Sequence, residues 1–175
     1  MTYGVARVVA LGSIVLSACG SSQPAGGDSP EAPIRELTAA GTERDTSKTK
    51  RALVSPARLR KALDCPPHST LIRDLESHFE LLDKIEKLPK PPRDTQSKDE
   101  IRSINQTSQT RIKIGDAFHD CKATEDFESR ELAIERRIDD KDHREVRQVI
   151  QLDGRWFAML AGSAAPGPEP EPTPK

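Results

Sequence analysis

The sequence predicts an all-α protein, a small helical hairpin or bundle stapled by one disulfide. Three observations predict it. Apolar residues recur at steps of three and four through much of residues 55–150. The chain is 34% hydrophobic, 3% aromatic and 31% charged, which suits a thin aliphatic seam between helices and not a sandwich or a doubly wound sheet. Two cysteines, Cys65 and Cys121, lie symmetrically about a Pro-rich turn near residue 93.

Residues 1–18 hold an apolar stretch from Val5 to Leu16, broken only by Arg7, Gly12 and Ser13. A membrane-spanning helix needs about 20 apolar residues, so this stretch reads as the apolar region of an export signal. The run Leu16-Ser17-Ala18-Cys19-Gly20 that closes it resembles the lipobox of bacterial lipoproteins. That resemblance implies cleavage before Cys19, a diacylglycerol on its sulfur, and an acyl chain such as palmitate on its new amine. Several chains together hold a protein stably, at about 0.8 kcal/mol per buried CH2. Gly20 stands where an Asp would imply inner-membrane retention, so the implied address is the outer membrane, facing the periplasm.

Residues 19–50 open on Ser, Gly and Pro and continue as a Thr/Lys/Glu mixture, and they read as a flexible tether. The folded part is expected over residues 51–162. Ser55 followed by Pro56 starts a first helix over about 55–64, with Leu59 and Leu63 at helical spacing. A second helix, 69–88, presents Ile72, Leu75, Phe79, Leu82 and Ile85, widened by Leu71, Leu81 and Leu88. The Pro89-Lys90-Pro91-Pro92 run ends it in a stiff turn. Ser97 with Glu100 reads as a capping box opening a third helix, 97–124, whose face is Ile101, Ile104, Ser108, Ile112, Gly115 and Phe118.

If those two helices fold back on each other, Cys65 and Cys121 meet at the open end of the hairpin. Export places them in a compartment that permits disulfides, and the third cysteine, Cys19, is accounted for by lipid. Unpaired thiols or links to other chains are the alternatives. A fourth helix is read over 125–152 through Phe127, Leu132, Ile134, Ile138, Val146, Val149 and Ile150. Asp153-Gly154 is ambiguous, either a helix cap or a two-residue hairpin turn. An isolated hairpin is marginal, and helix is the reading taken. Trp156 and Phe157 pack on the hairpin or else form an exposed contact patch. Residues 163–175 alternate Pro with Glu and read as a disordered, polyproline-type tail.

Net charge is −1, which argues against general nucleic-acid binding. Charge is uneven: residues 44–61 carry seven basic residues and one acidic, and residues 123–145 nine acidic and five basic. This reads as a basic linker followed by a solvated acidic helix, the alternative being a basic stretch lying against an anionic envelope surface. The sequence contains no phosphate-binding Gly loop, nucleophile elbow or zinc-type spacing, so no enzyme, cofactor or metal is expected. His68, His78, His119 and His143 are scattered among charges. The expected function is a non-catalytic, lipid-anchored envelope protein that binds another envelope protein or the wall. Asp64-Cys65-Pro66-Pro67 and Asp120-Cys121-Lys122-Ala123, with the lipobox, resemble phage outer-membrane spanins, which implies a lysis lipoprotein paired with an inner-membrane partner. A third reading is a periplasmic inhibitor or small-ligand carrier, whose cavity Leu75, Phe79, Ile104 and Phe118 would line.

Overall fold

A computed structural model describes residues 25–89 and 98–160, and it is mixed α/β, not all-α. Four helices come first: α1 (Ala32–Glu43), α2 (Thr46–Ala52), α3 (Pro56–Ala62) and α4 (Thr70–Glu86), with β1 (Leu63–Asp64) between the last two. Strands β2 (Asp99–Ile112), β3 (Ala117–Phe118), β4 (Cys121–Ala123), β5 (Phe127–Ile138), β6 (Lys141–Leu152) and β7 (Arg155–Ala158) follow. They form a four-stranded sheet, β2-β5-β6-β7, and a three-stranded one, β1-β4-β3, with antiparallel pairing throughout.

The expected first and second helices stand as α3 and α4, and their caps are the ones the sequence shows. The Ser55 hydroxyl accepts from Arg58 N–H at 3.3 Å, and that of Ser69 accepts from Ile72 N–H at 3.4 Å. The expected third and fourth helices, 97–124 and 125–152, are strands. In the first of these, the three-residue apolar step comes from a β-bulge. The β2–β5 register slips between Ile101 and Ser103 and again between Gln106 and Ser108. Ile101 opposes Arg136 and Ile104 opposes Ile134, so both face the same side although three residues apart. A single extra residue in a strand thus imitates a helical step.

Asp139 and Asp140, both with positive φ (47° and 66°), make the two-residue turn joining β5 to β6. Asp153 (φ 51°) and Gly154 (φ 74°) do the same between β6 and β7, so the hairpin and not the helix cap is the outcome there. That hairpin is not isolated, because β6 pairs with β5 and β7 is covered on both faces.

The segment expected as tether carries α1 and α2. Ile34 and Ala40 are buried and Leu37 packs beside them, a stripe at steps of three that the polar composition hides. Asp45 caps α2 by accepting from Ser47 N–H (3.0 Å) and Lys48 N–H (3.1 Å). Two core clusters result. One joins Ile34, Leu82, Leu132, Ile134, Val149 and Trp156, and the other joins Leu59, Leu75, Phe118, Phe127, Ile150 and Phe157.

Trp156 and Ala158 belong to the first cluster, Phe157 and Met159 to the second, and all four are buried. A strand covered on both faces reads as a continuous apolar run. Trp156 and Phe157 are therefore interior residues and not a contact patch. The disulfide joins Cys65 to Cys121 as expected, but it ties the lead-in of α4 to β4 and not two helices. Cys19, the Pro-rich turn from residue 90 to 97, and the tail from residue 161 lie outside the described residues.

Candidate binding groove

Helix α4 is longer than the core it covers. Leu71, Ile72, Leu75 and Leu82 are buried, but Leu81, Ile85 and Leu88 are 51%, 43% and 63% exposed. Leu81 and Ile85 sit at i and i+4 on one face of α4, and Leu88 lies just past its end, beyond the Lys87 cap. The sequence assigns them to the core stripe of the second helix. At about 100° per residue Leu81 and Ile85 lie to one side of the buried Leu71, Leu75 and Leu82, and Leu88 follows the helix end, so the packed face does not include them.

Beside this stripe an open groove of about 730 Å³ runs between the C-terminal end of α4 and the α1–α2 turn. Ala40, Gly41, Thr46 and Thr49 line one wall, and Ile85, Leu88 and Pro89 the other. Local sequence builds the first wall. Arg44 adopts a left-handed conformation (φ 54°) and its N–H returns to the carbonyls of Ala40 and Gly41, ending α1. Asp45 N–H also donates to Ala40 O at 2.9 Å, and the Asp45 side chain then starts α2. The Ser47 hydroxyl first, and then Lys48 N–H, hold the Asp45 carboxyl below the usual carboxylate range. Gly41 leaves the wall open, since nothing lies within 4 Å of where its Cβ would be.

A cation clamps the two walls together. Lys50 Nζ of α2 lies 2.6 Å from Asp83 Oδ1 and 2.6 Å from Glu86 Oε2 of α4. The bonds to Asp83 and then Glu86 raise the Lys50 pKa, and the same contact lowers that of Asp83. The groove is thus bridged by an ion pair and lined by apolar residues together with Arg44, Asp45, Ser47 and Glu86.

The rest of the basic run 44–61 is matched in space by acids. Lys48 pairs with Glu43, Arg51 with Glu36, Arg60 with Glu76, and Arg58 and Lys61 both with Asp153. An excess seen along the chain is therefore largely met across it, by α1, α4 and the β6–β7 turn.

The histidines do not converge. His68 lines a polar cavity of about 440 Å³ beside the disulfide, and His143 lines another at the far end of the β5–β6 hairpin. His119 Nε2 lies 3.1 Å from Gln148 Oε1, whose amide donates to the buried Ser129 hydroxyl at 3.0 Å. His78 sits on α4, where partial burial lowers its pKa. Leu75 and Phe118 belong to one packed cluster while Ile104 borders the other, with Phe79 touching both. These four residues are therefore divided between two packed clusters.

Among the described residues there is no group of three or more His, Cys, Asp or Glu placed to hold a metal ion. None of the described helices is long and apolar enough to cross a membrane. No protein-family model, curated protein or solved structure matches the chain.

Proposed function

We propose that this chain is a lipid-anchored bacterial envelope protein, without catalysis of its own, whose α/β domain binds an apolar helical segment of another envelope protein. The observation that carries the binding part is the exposed stripe Leu81, Ile85 and Leu88 beside the open groove. Leu81 and Ile85 stand one turn apart, about 6 Å along α4, and Leu88 follows just past the helix end, a short apolar edge of the kind a partner helix engages through i and i+4 anchors. The anchoring part is supported by the lipobox at residues 16–20. The groove favours this reading over the spanin-like one, which has only the lipobox and the two cysteine tetrapeptides behind it. It also favours it over the ligand-carrier one, whose expected lining is dispersed through the core.

The test uses a photo-crosslinking residue at Ile85 or Leu88 of the full chain in its own envelope, compared with one at Val146. Val146 is 49% exposed and sits on β6, away from the groove. The groove positions should crosslink one protein that Val146 does not, and Gly41→Trp, filling the groove from its open wall, should abolish those crosslinks. Equal crosslinking from Val146, or crosslinks indifferent to Gly41→Trp, would refute the groove. For the anchor, Cys19→Ser should move the protein from the membrane to the soluble fraction, and retention on the membrane would refute it.

A further inference from the structure

Residues 25–27, six to eight positions after Cys19, are tied into the core. Ala25 packs against the core. Gly26 donates its N–H to Arg51 O at 2.9 Å, and its carbonyl accepts from Arg155 Nη2 at 2.6 Å. Gly27 exchanges two hydrogen bonds of 2.8 Å with Trp156, adding a bridge to the edge of β7. This clasp has no slack: a Cβ on Gly26 would lie 2.6 Å from Phe157 Cζ and 2.9 Å from the Trp156 carbonyl oxygen.

From Ala25 back to Cys19 there are six Cα–Cα steps. Fully extended, they reach about 20 Å, and as a Gly/Ser-rich coil about 13 Å. We propose that in the anchored protein the corner formed by residues 26–28, the Asp153–Gly154 turn and the start of α3 lies against the lipid headgroups, so that the domain rests on the bilayer instead of standing off it. The proposal rests on the lipidation of Cys19, whose acyl chains hold that residue at headgroup level. Reach carries it, and the local charges are compatible: Asp153 is shared by Arg58 (3.8 Å) and Lys61 (3.6 Å), one carboxylate between two cations that can turn to lipid phosphate. Exposed pairs of this kind are individually weak and exchange readily. The groove lies at the other end of α1, whose twelve residues measure about 18 Å, so a partner can reach it with the corner seated.

Trp156, the only tryptophan of the chain, hydrogen-bonds to Gly27 inside the clasp and reports the corner's height. Full-length lipidated protein is reconstituted in phosphatidylcholine vesicles containing a dansyl-headgroup lipid, and energy transfer from Trp156 is measured. A variant with 30 Gly/Ser residues inserted after Gly20 is measured alongside. Its 36-step leash has a coil reach of about 33 Å against about 13 Å. Transfer should be at least threefold higher in the natural chain. Equal transfer in the two would overturn the proposal while leaving the anchor in place. The intact mass of the mature N-terminus is read on the same sample, and a Cys19 without lipid would overturn the anchored reading and this proposal together.

Discussion

Gly26→Ala tests the clasp most directly. Gly26 has φ +80°, a region that costs an ordinary residue about 1–2 kcal/mol. Its new methyl would sit 2.6 and 2.7 Å from two ring carbons of Phe157 and 2.9 Å from a backbone oxygen. Phe157 is fully buried and has Arg58 stacked 4.4 Å from its ring centroid, so the ring has nowhere to swing. Overpacking at such a site costs about 1–3 kcal/mol. The two effects together predict a loss of about 2–5 kcal/mol, a large share of the stability of a domain this size. The assay is urea unfolding followed by Trp156 fluorescence. Gly41→Ala is the control: it lies in helix α1 with open space around its Cβ, and should gain about 0.5–1 kcal/mol. A Gly26→Ala protein within about 0.5 kcal/mol of wild type would mean that residues 25–27 are not seated as described, and the short leash would lose its fixed end.

Two further outcomes follow from the other end of α4. Replacing both Cys65 and Cys121 by Ala opens a loop set by a sequence separation of 56, and should cost about 4 kcal/mol by chain entropy in the same unfolding assay. A loss below about 1 kcal/mol would show that the β1–β4 pairing already closes that loop unaided. Asp120 caps α4 from across the chain, taking Thr70 N–H at 2.8 Å and the Ser69 hydroxyl at 3.0 Å. Burial pushes its carboxyl up, but the Thr70 and Ser69 bonds outweigh this and hold it below the usual carboxylate range. Its contribution is therefore present above the ordinary Asp pKa and is lost as pH falls through the depressed folded value. Asp120→Asn should cost about 1 kcal/mol at neutral pH, and the gap to wild type should close below about pH 4. A gap independent of pH would assign the cost to something other than the carboxylate.

How far the sequence could be read depended on whether a local signal was tied to one structure. Ser55-Pro56 and Ser69 are helix starts by their own hydrogen-bonding chemistry, and α3 and α4 begin there. The disulfide was legible by counting, once Cys19 was assigned to lipid. The strands were not. Ile101 and Ile104 share a face through a bulge, so their spacing argues for a helix that is not there. A better signal was present: β-branched residues fill β2 (Ile101, Ile104, Thr107, Thr110 and Ile112), and charges mirror each other about the Asp139-Asp140 turn. Glu135 opposes Arg144 and Arg137 opposes Asp142, a symmetry that a hairpin produces and a helix does not require. Helix α1 was hidden for another reason: Ile34, Leu37 and Ala40 are a sparse stripe in a polar segment, stable only because β7 and the sheet lie beneath it.

The exposed stripe was beyond reach from sequence. Leu81 and Ile85 are as apolar as Leu75 and Leu82 and differ from them by helical phase, about 60–120°, which does not say which of the two faces the fold covers. Only the tertiary packing decides which of the two is covered.

Taken alone, the sequence determined what depends on neighbouring residues: the starts of α3 and α4 and the parity of the cysteines. Tertiary structure decided what depends on distant ones: that strands form within residues 99–158, that Trp156 and Phe157 are interior, and that acids meet the basic run. The physical reason is range. Caps and lipidation signals act over a few residues, whereas a strand's identity and a side chain's burial are set by partners dozens of positions away.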